Sequence, residues 1–184
     1  MRRRAALCTT LALLALLALP SAANATPKVN AGLTTGAAAT DLRTGGPRIA
    51  SHLGVRADAL FFRSRDAEMG LGPYVDFTTI AFDTAEPGGG IQWLIPIGDP
   101  VLSLSGGGHA RISALGVEPG LSGTVFMGGR VHNFHSVYNL TLGGFAQTRY
   151  ALGPSHAWEV LVGAQVDLVY LAIPFIYAYE AARR

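Results

Sequence analysis

The sequence predicts an all-β protein: an eight-stranded antiparallel up-and-down transmembrane β-barrel, preceded by a signal peptide. Three observations predict it. The N-terminus is built like an export signal, apolar and polar residues alternate with period two in eight stretches, and charge is sparse. Asp, Glu, Lys and Arg make up 14% of the chain, against about a quarter in an ordinary soluble domain. A surface so poor in charge does not all face water.

Arg2, Arg3 and Arg4 form a positive leader, Leu11 to Leu19 an apolar stretch, Pro20 a break, and Ala23-Asn24-Ala25 a small-x-small cleavage site. That order is a secretory signal peptide over residues 1–25. Cys8 precedes the apolar stretch and so cannot be a lipidated cysteine. Its removal leaves no cysteine, so the mature chain folds without a disulfide. Eleven basic residues then stand against twelve acidic ones. No basic patch points to nucleic acid. The remaining residues divide into a barrel, 26–170, and a C-terminal tail, 171–184, at the membrane surface.

The strands follow in order from the alternation. Val29–Thr40 carries Val29, Ala31 and Leu33 on one face. His52–Phe62 sets Leu53, Val55 and Phe61 against His52, Arg56 and Asp58. Leu71–Phe82 sets Leu71, Val75 and Phe77 against Tyr74, Asp76 and Thr78. Gly90–Ile97 alternates Ile91, Trp93 and Ile95 with Gln92 and Leu94. Val101–Ser113 opposes Leu102, Leu104 and Ile112 to Ser103, His109 and Arg111. Leu121–His132 opposes Leu121, Val125 and Met127 to Ser122, Thr124 and Arg130. Val137–Tyr150 and Trp158–Tyr170 complete the set.

The last two strands share a pattern. The apolar face of one begins at Tyr138 and ends at Tyr150; that of the other begins at Trp158 and ends at Tyr170. Twelve residues at about 3.3 Å each cover roughly 40 Å, or roughly 28 Å along the normal of a membrane when tilted by about 45°. Aromatic girdles flanking an outward apolar band fit this spacing. Tyr138, Tyr150, Trp158 and Tyr170 are the candidate girdle. Leu161–Glu180 also has the length of a membrane helix, but Glu159, Gln165 and Asp167 share a face only on a strand. On a helix Asp167 would cost about 2.5–3.5 kcal/mol near the bilayer centre.

Turn residues separate the strands. A chain with both ends in the periplasm sends its first, third, fifth and seventh connections outward. These are Asp41–Ser51, Asp83–Gly89, Ala114–Gly120 and Ala151–Ala157, of 11, 7, 7 and 7 residues; the inner ones have 8, 3 and 4. Outer-membrane barrels have long outer loops and short periplasmic turns. The Gly88-Gly89-Gly90 triplet suits a loop, whereas Gly106-Gly107-Gly108 lies within a strand.

In signal peptide, strand count, alternation and girdle spacing, Val29 to about Tyr170 resembles the small eight-stranded outer-membrane β-barrel proteins. The resemblance implies an outer-membrane location, the lipid bilayer and the outer-membrane assembly machinery as partners, and no cofactor. One feature departs from it. Such proteins usually end on a strand with a terminal aromatic residue, and this chain ends Tyr179-Glu180-Ala181-Ala182-Arg183-Arg184.

With the apolar faces toward lipid, the other faces fill the interior, which in an eight-stranded barrel is just wide enough for side chains. Arg56, Asp58, Asp76, His109, Arg111, Arg130, Arg149 and Asp167 are the candidate interior polar network. Buried charges need partners, so structural pairing is the favoured role. His132-Asn133-Phe134-His135-Ser136 is the most catalytic-looking stretch. It has no third metal ligand nearby and no carboxylate placed to orient either histidine. A nucleophile elbow, a P-loop and a dinucleotide fingerprint are absent. No catalytic, cofactor or metal residue is assigned, and no surface ligand.

The expected function is a non-catalytic outer-membrane barrel in envelope structure or surface interaction. One alternative is a soluble secreted or periplasmic lipocalin-like barrel with its apolar face inward around an apolar ligand. Another is an outer-membrane lipid hydrolase using His132, His135 or Ser136.

Overall fold

A computed structural model describes residues 27–42, 46–62, 68–98, 100–114, 116–130, 140–168 and 178–183. Eight strands run β1 (Lys28–Leu42), β2 (Gly46–Leu60), β3 (Gly70–Ile80), β4 (Thr84–Pro96), β5 (Val101–Ser113), β6 (Gly116–Arg130), β7 (Leu140–Ala151) and β8 (Trp158–Asp167). Each pairs with the next in sequence, and β1 pairs with β8 to close the barrel. Every ladder is antiparallel, from Lys28 opposite Leu60 in the first to Gly32 opposite Asp167 in the closing one. Closure leaves no strand edge unpaired, which suits a chain surrounded by lipid.

The alternation holds in all eight strands. Val55, Val75, Ile91, Val125, Leu142 and Val162 point outward and are 46–62% exposed. Their neighbours Arg56, Tyr74, Gln92, Thr124 and Leu161 point inward and are buried. An apolar cluster of Leu60, Ile80, Leu94, Val101, Phe126, Phe145 and Leu161 shares the interior with the polar side chains.

Two glycine pairs face each other across ladders. Gly36 lies opposite Gly163 in the β1–β8 ladder and Gly90 opposite Gly107 in the β4–β5 ladder, on opposite sides of the ring. A Cβ on Gly36 would fall on the backbone of Val162 and Gly163, and one on Gly107 on the backbone of Gly89 and Gly90. Glycine is what lets the strands approach this closely.

The connections differ from the sequence expectation. Asp41–Ser51 is no eleven-residue loop: the β1–β2 ladder continues through Ala38–Ala50, Thr40–Arg48 and Asp41–Pro47. Pro47 near the strand start tolerates the missing N–H, and Gly46 pairs with Leu42. Asp83–Gly89 contracts to the turn 81–83. Gly88-Gly89-Gly90 belongs to β4, opposite Asp76, Val75 and Tyr74 of β3, and not to a loop. Ala114–Gly120 contracts to residues 114–115, since Val117–Gly120 pairs with His109–Ile112. Ala151–Ala157 becomes 152–157.

The first, third, fifth and seventh connections therefore have 3, 3, 2 and 6 residues. The second, fourth and sixth have 9, 4 and 9. The short connections lie at the end opposite the termini, reversing the predicted length pattern. We call this the turn end.

β8 ends at Asp167, three residues before the predicted Tyr170. A strand over Trp158–Asp167 also removes the helical reading of the last apolar stretch, and no described helix is long and apolar enough to cross a membrane. Residues 178–183 are helical and exposed. The predicted signal peptide, residues 1–25, lies outside the described residues.

Candidate functional site

Cross-strand register puts opposite charges side by side in the interior. Arg111 of β5 is opposite Glu118 of β6, and Arg149 of β7 is opposite Glu159 of β8. All four side chains are buried. Opposite-charge pairs at such positions support a ladder, but the longer bonds are the informative ones.

Arg149 reaches across the lumen to the facing wall. Its Nη1 donates to Glu86 Oε2 of β4 at 2.8 Å, and its Nη2 to Asp76 Oδ2 at 2.8 Å and Thr78 Oγ1 at 2.9 Å of β3. Strands β7 and β3 are four apart in a ring of eight, so this guanidinium ties opposite sides together. Gln147, also on β7, donates to the same Asp76 oxygen at 3.4 Å.

Arg111 stands among three glutamates. Its Nε is 3.3 Å from Glu159 Oε1 and 3.5 Å from Glu86 Oε1, and its Nη1 is 3.8 Å from Glu118 Oε2. Glu118 is further held by the last connection: Ser155 donates its backbone N–H at 2.8 Å and its hydroxyl at 2.5 Å. Nearer the surface of the turn end, Arg48 pairs with Asp83 at 3.2 Å, both more than half exposed.

A second polar group lies toward the termini. Arg56 Nη2 donates to Gln92 Oε1 at 2.6 Å, and Gln92 Nε2 donates to Asp58 Oδ2 at 3.2 Å. The Arg56 guanidinium sits 3.9 Å from the centre of the Tyr74 ring, a cation–π stack suited to a partly dry lumen. Tyr74 Oη and Ser122 Oγ lie 3.4 Å apart. Phe126 and Phe145 pack close by, and Phe145 meets His52 edge-on at 5.3 Å between ring centres.

The cavities lined by described residues are small. Two of about 20 and 10 Å³ flank Arg56. One of about 50 Å³ opens at the turn end between Thr40, Arg48, Ile80, Thr84, Arg111 and Glu159. Each is of water size, far below the roughly 300–1,000 Å³ of a pocket for an organic ligand. Among the described residues, no three His, Cys, Asp or Glu side chains gather to hold a metal ion.

Of the predicted interior residues, Arg56, Asp58, His109, Arg111, Arg149 and Asp167 are buried inward, and Asp76 bonds into the lumen. The side chain of Arg130 lies outside the described residues. Of the predicted girdle, Tyr150 and Trp158 are exposed on the outer wall, paired across β7–β8 at the turn end. Tyr138 and Tyr170 lie outside the described residues, as do His132, His135 and Ser136. Glu86 and Glu118, at 0% and 4% exposure, are absent from the predicted network because loops were expected there. Extending the alternation of Gly90 and Gln92 back by two steps reaches Glu86. Glu159 is on the predicted polar face and meets the network at Arg111.

No family model matches the chain and no curated protein matches it. Among solved structures, it is similar to a designed transmembrane β-barrel, at 11% identity over 76% of this chain and 97% of that one, TM-score 0.40. It is also similar to Ail, the attachment invasion locus protein of Yersinia pestis, in complex with the heparin analogue sucrose octasulfate, at 10% identity over 77% and 98% and TM-score 0.40. A further structure of Ail gives 9% identity over the same shares and TM-score 0.38. At this degree of likeness, nothing about ligands or partners carries over. What the chain shares with small outer-membrane barrels is the closed eight-stranded antiparallel architecture, which its own strand pairing establishes.

Proposed function

We propose that this protein is a non-catalytic outer-membrane β-barrel, exported by a cleaved signal peptide over residues 1–25 and inserted by the outer-membrane assembly machinery. The observation that carries this reading is the inversion of its faces. Arg149, Glu86, Glu159 and Asp167 are at most 2% exposed inside, while Val75, Ile91 and Leu142 are 55–62% exposed outside. Water would favour the reverse, and lipid favours what is found. A lipocalin-like barrel needs its apolar faces around the ligand, and here they point outward.

The dimensions agree. Strands of 13 residues, such as β4 and β5, rise roughly 43 Å at about 3.3 Å per residue. Tilted by about 40°, they span roughly 33 Å, close to a hydrocarbon core of about 30 Å. The lumen is tied by Arg149 and filled by side chains, so its role is structural and no open pore is part of the proposal. With both termini in the periplasm, the two nine-residue connections face the periplasm and the short turns face outward. Interaction with other envelope components then belongs to the periplasmic end.

Fractionation with heat-modifiable gel migration tests the location. A monomer that stays in solution without detergent would overturn it. Orientation is tested with a membrane-impermeant maleimide on intact cells. Leu152→Cys at the turn end is expected to label and Met69→Cys at the terminal end is not, and the opposite pattern reverses the orientation.

A further inference from the structure

The connection between β7 and β8 is firmly built. Leu152 N–H donates to Pro119 C=O at 2.7 Å, Ala151 N–H to Ala157 C=O at 2.9 Å and His156 N–H to Gly153 C=O at 3.1 Å. Ser155 adds its two bonds to Glu118. These bonds hold His156 at a φ of 44°, a left-handed backbone uncommon for a residue with a side chain. The imidazole is set beside Tyr150. His156 Nδ1 and Tyr150 Oη are hydrogen-bonded at 3.0 Å, with ring centres 6.2 Å apart. Tyr150 is in turn opposite Trp158 across the β7–β8 ladder. All three residues are exposed at the turn-end rim. Among the described residues, neither His156 Nε2 nor the Trp158 indole N–H has a hydrogen-bond partner.

We propose that this aromatic shelf binds the sugar of a glycolipid headgroup in the surrounding leaflet. The inference rests on the outer-membrane reading, which puts the turn-end rim at headgroup level. Indole and phenol side chains, apolar in body and polar at one edge, favour that level. The polar atoms of the shelf suit hydroxyl groups. A phenol and an imidazole each donate and accept, as every sugar hydroxyl does, and the C–H face of a pyranose ring packs flat on an aromatic ring. A phosphate is the poorer match, because the described cations of this end are taken. Arg48 pairs with Asp83, and Arg111 and Arg149 pair with buried carboxylates.

The probe is glucosyl diacylglycerol, raised in mole fraction in phosphatidylcholine vesicles that hold the refolded mature protein. Trp93→Phe leaves Trp158 as the only indole, and its emission is the readout. A saturable change is expected with the glucosyl lipid and none with plain diacylglycerol. His156→Gly removes the ring and keeps the turn, since glycine enters the left-handed region freely. It is expected to weaken apparent affinity by about tenfold, and Tyr150→Phe, which loses one hydrogen bond, by about threefold. Both variants are expected to keep heat-modifiable migration. No saturable change, an equal response to diacylglycerol or phosphatidylglycerol, or unchanged affinity in both variants would overturn the sugar site and leave the barrel reading in place. A protein that stays in solution without detergent would overturn both.

Discussion

Arg149 shows what one side chain does in so narrow a lumen. It joins β7 to β3 and β4 through Asp76, Thr78 and Glu86 at 2.8–2.9 Å. Replacing it by Met leaves two buried carboxylates without their partner. That is expected to cost about 3–5 kcal/mol, seen as a lower urea midpoint for loss of heat-modifiable migration. The sequence already put Arg149 and Asp76 on inward faces. It could not pair them, because which walls of a barrel face each other depends on closure. Gly163 is the opposite kind of residue, essential for what it lacks. A Cβ there would strike the backbone of Thr35 and Gly36, so Gly163→Ala is expected to destabilise the barrel by about 1–3 kcal/mol in the same assay.

Among the elements, the β3–β4 turn carries an unusual local conformation. Ala81 and Phe82 have φ of 53° and 59°, and Asp83 N–H closes the turn on Ile80 C=O at 3.0 Å. This is a type I′ turn, which matches strand twist but favours Asn-Gly. Left-handed backbone costs a non-glycine residue about 1–2 kcal/mol. Changing Ala81-Phe82 to Asn-Gly is therefore expected to stabilise the hairpin by about 1–2 kcal/mol. A fall in the urea midpoint would mean that the Phe82 ring, 76% exposed, contributes more at the membrane surface than the turn loses. Turn chemistry misled the sequence reading here. The Pro87-Gly88-Gly89-Gly90 run has loop composition, yet the glycines are needed inside β4, where neighbouring strands and the Asp76 carboxylate crowd them.

For the whole molecule, the apolar exterior separates lipid from water as its solvent. Val125 lies midway along β6 on the outer wall and is 49% exposed. Val125→Arg is expected to cost about 2–4 kcal/mol if that wall faces the bilayer. Refolding into vesicles and urea titration measure it. A change within about 0.5 kcal/mol, as at an ordinary surface position, would mean the wall faces water.

Taken by itself, the sequence determined the strand class, the number of strands and the face on which each residue lies, because a pleated strand has a strict period of two. It also gathered the charged residues on one face of each strand, and left open whether that face points inward. The tertiary structure alone decided the rest. Where strands stop depends on ladder partners rather than on local turn residues, which is why Asp41–Ser51 and Ala114–Gly120 are mostly strand and why Glu86 and Glu118 are interior. Which charge meets which depends on the register of closure, β1 with β8, and no local pattern encodes a contact across the lumen. The cavity beside Glu159 exists only because β1, β2, β3, β4, β5 and β8 bring their turn-end residues to one mouth.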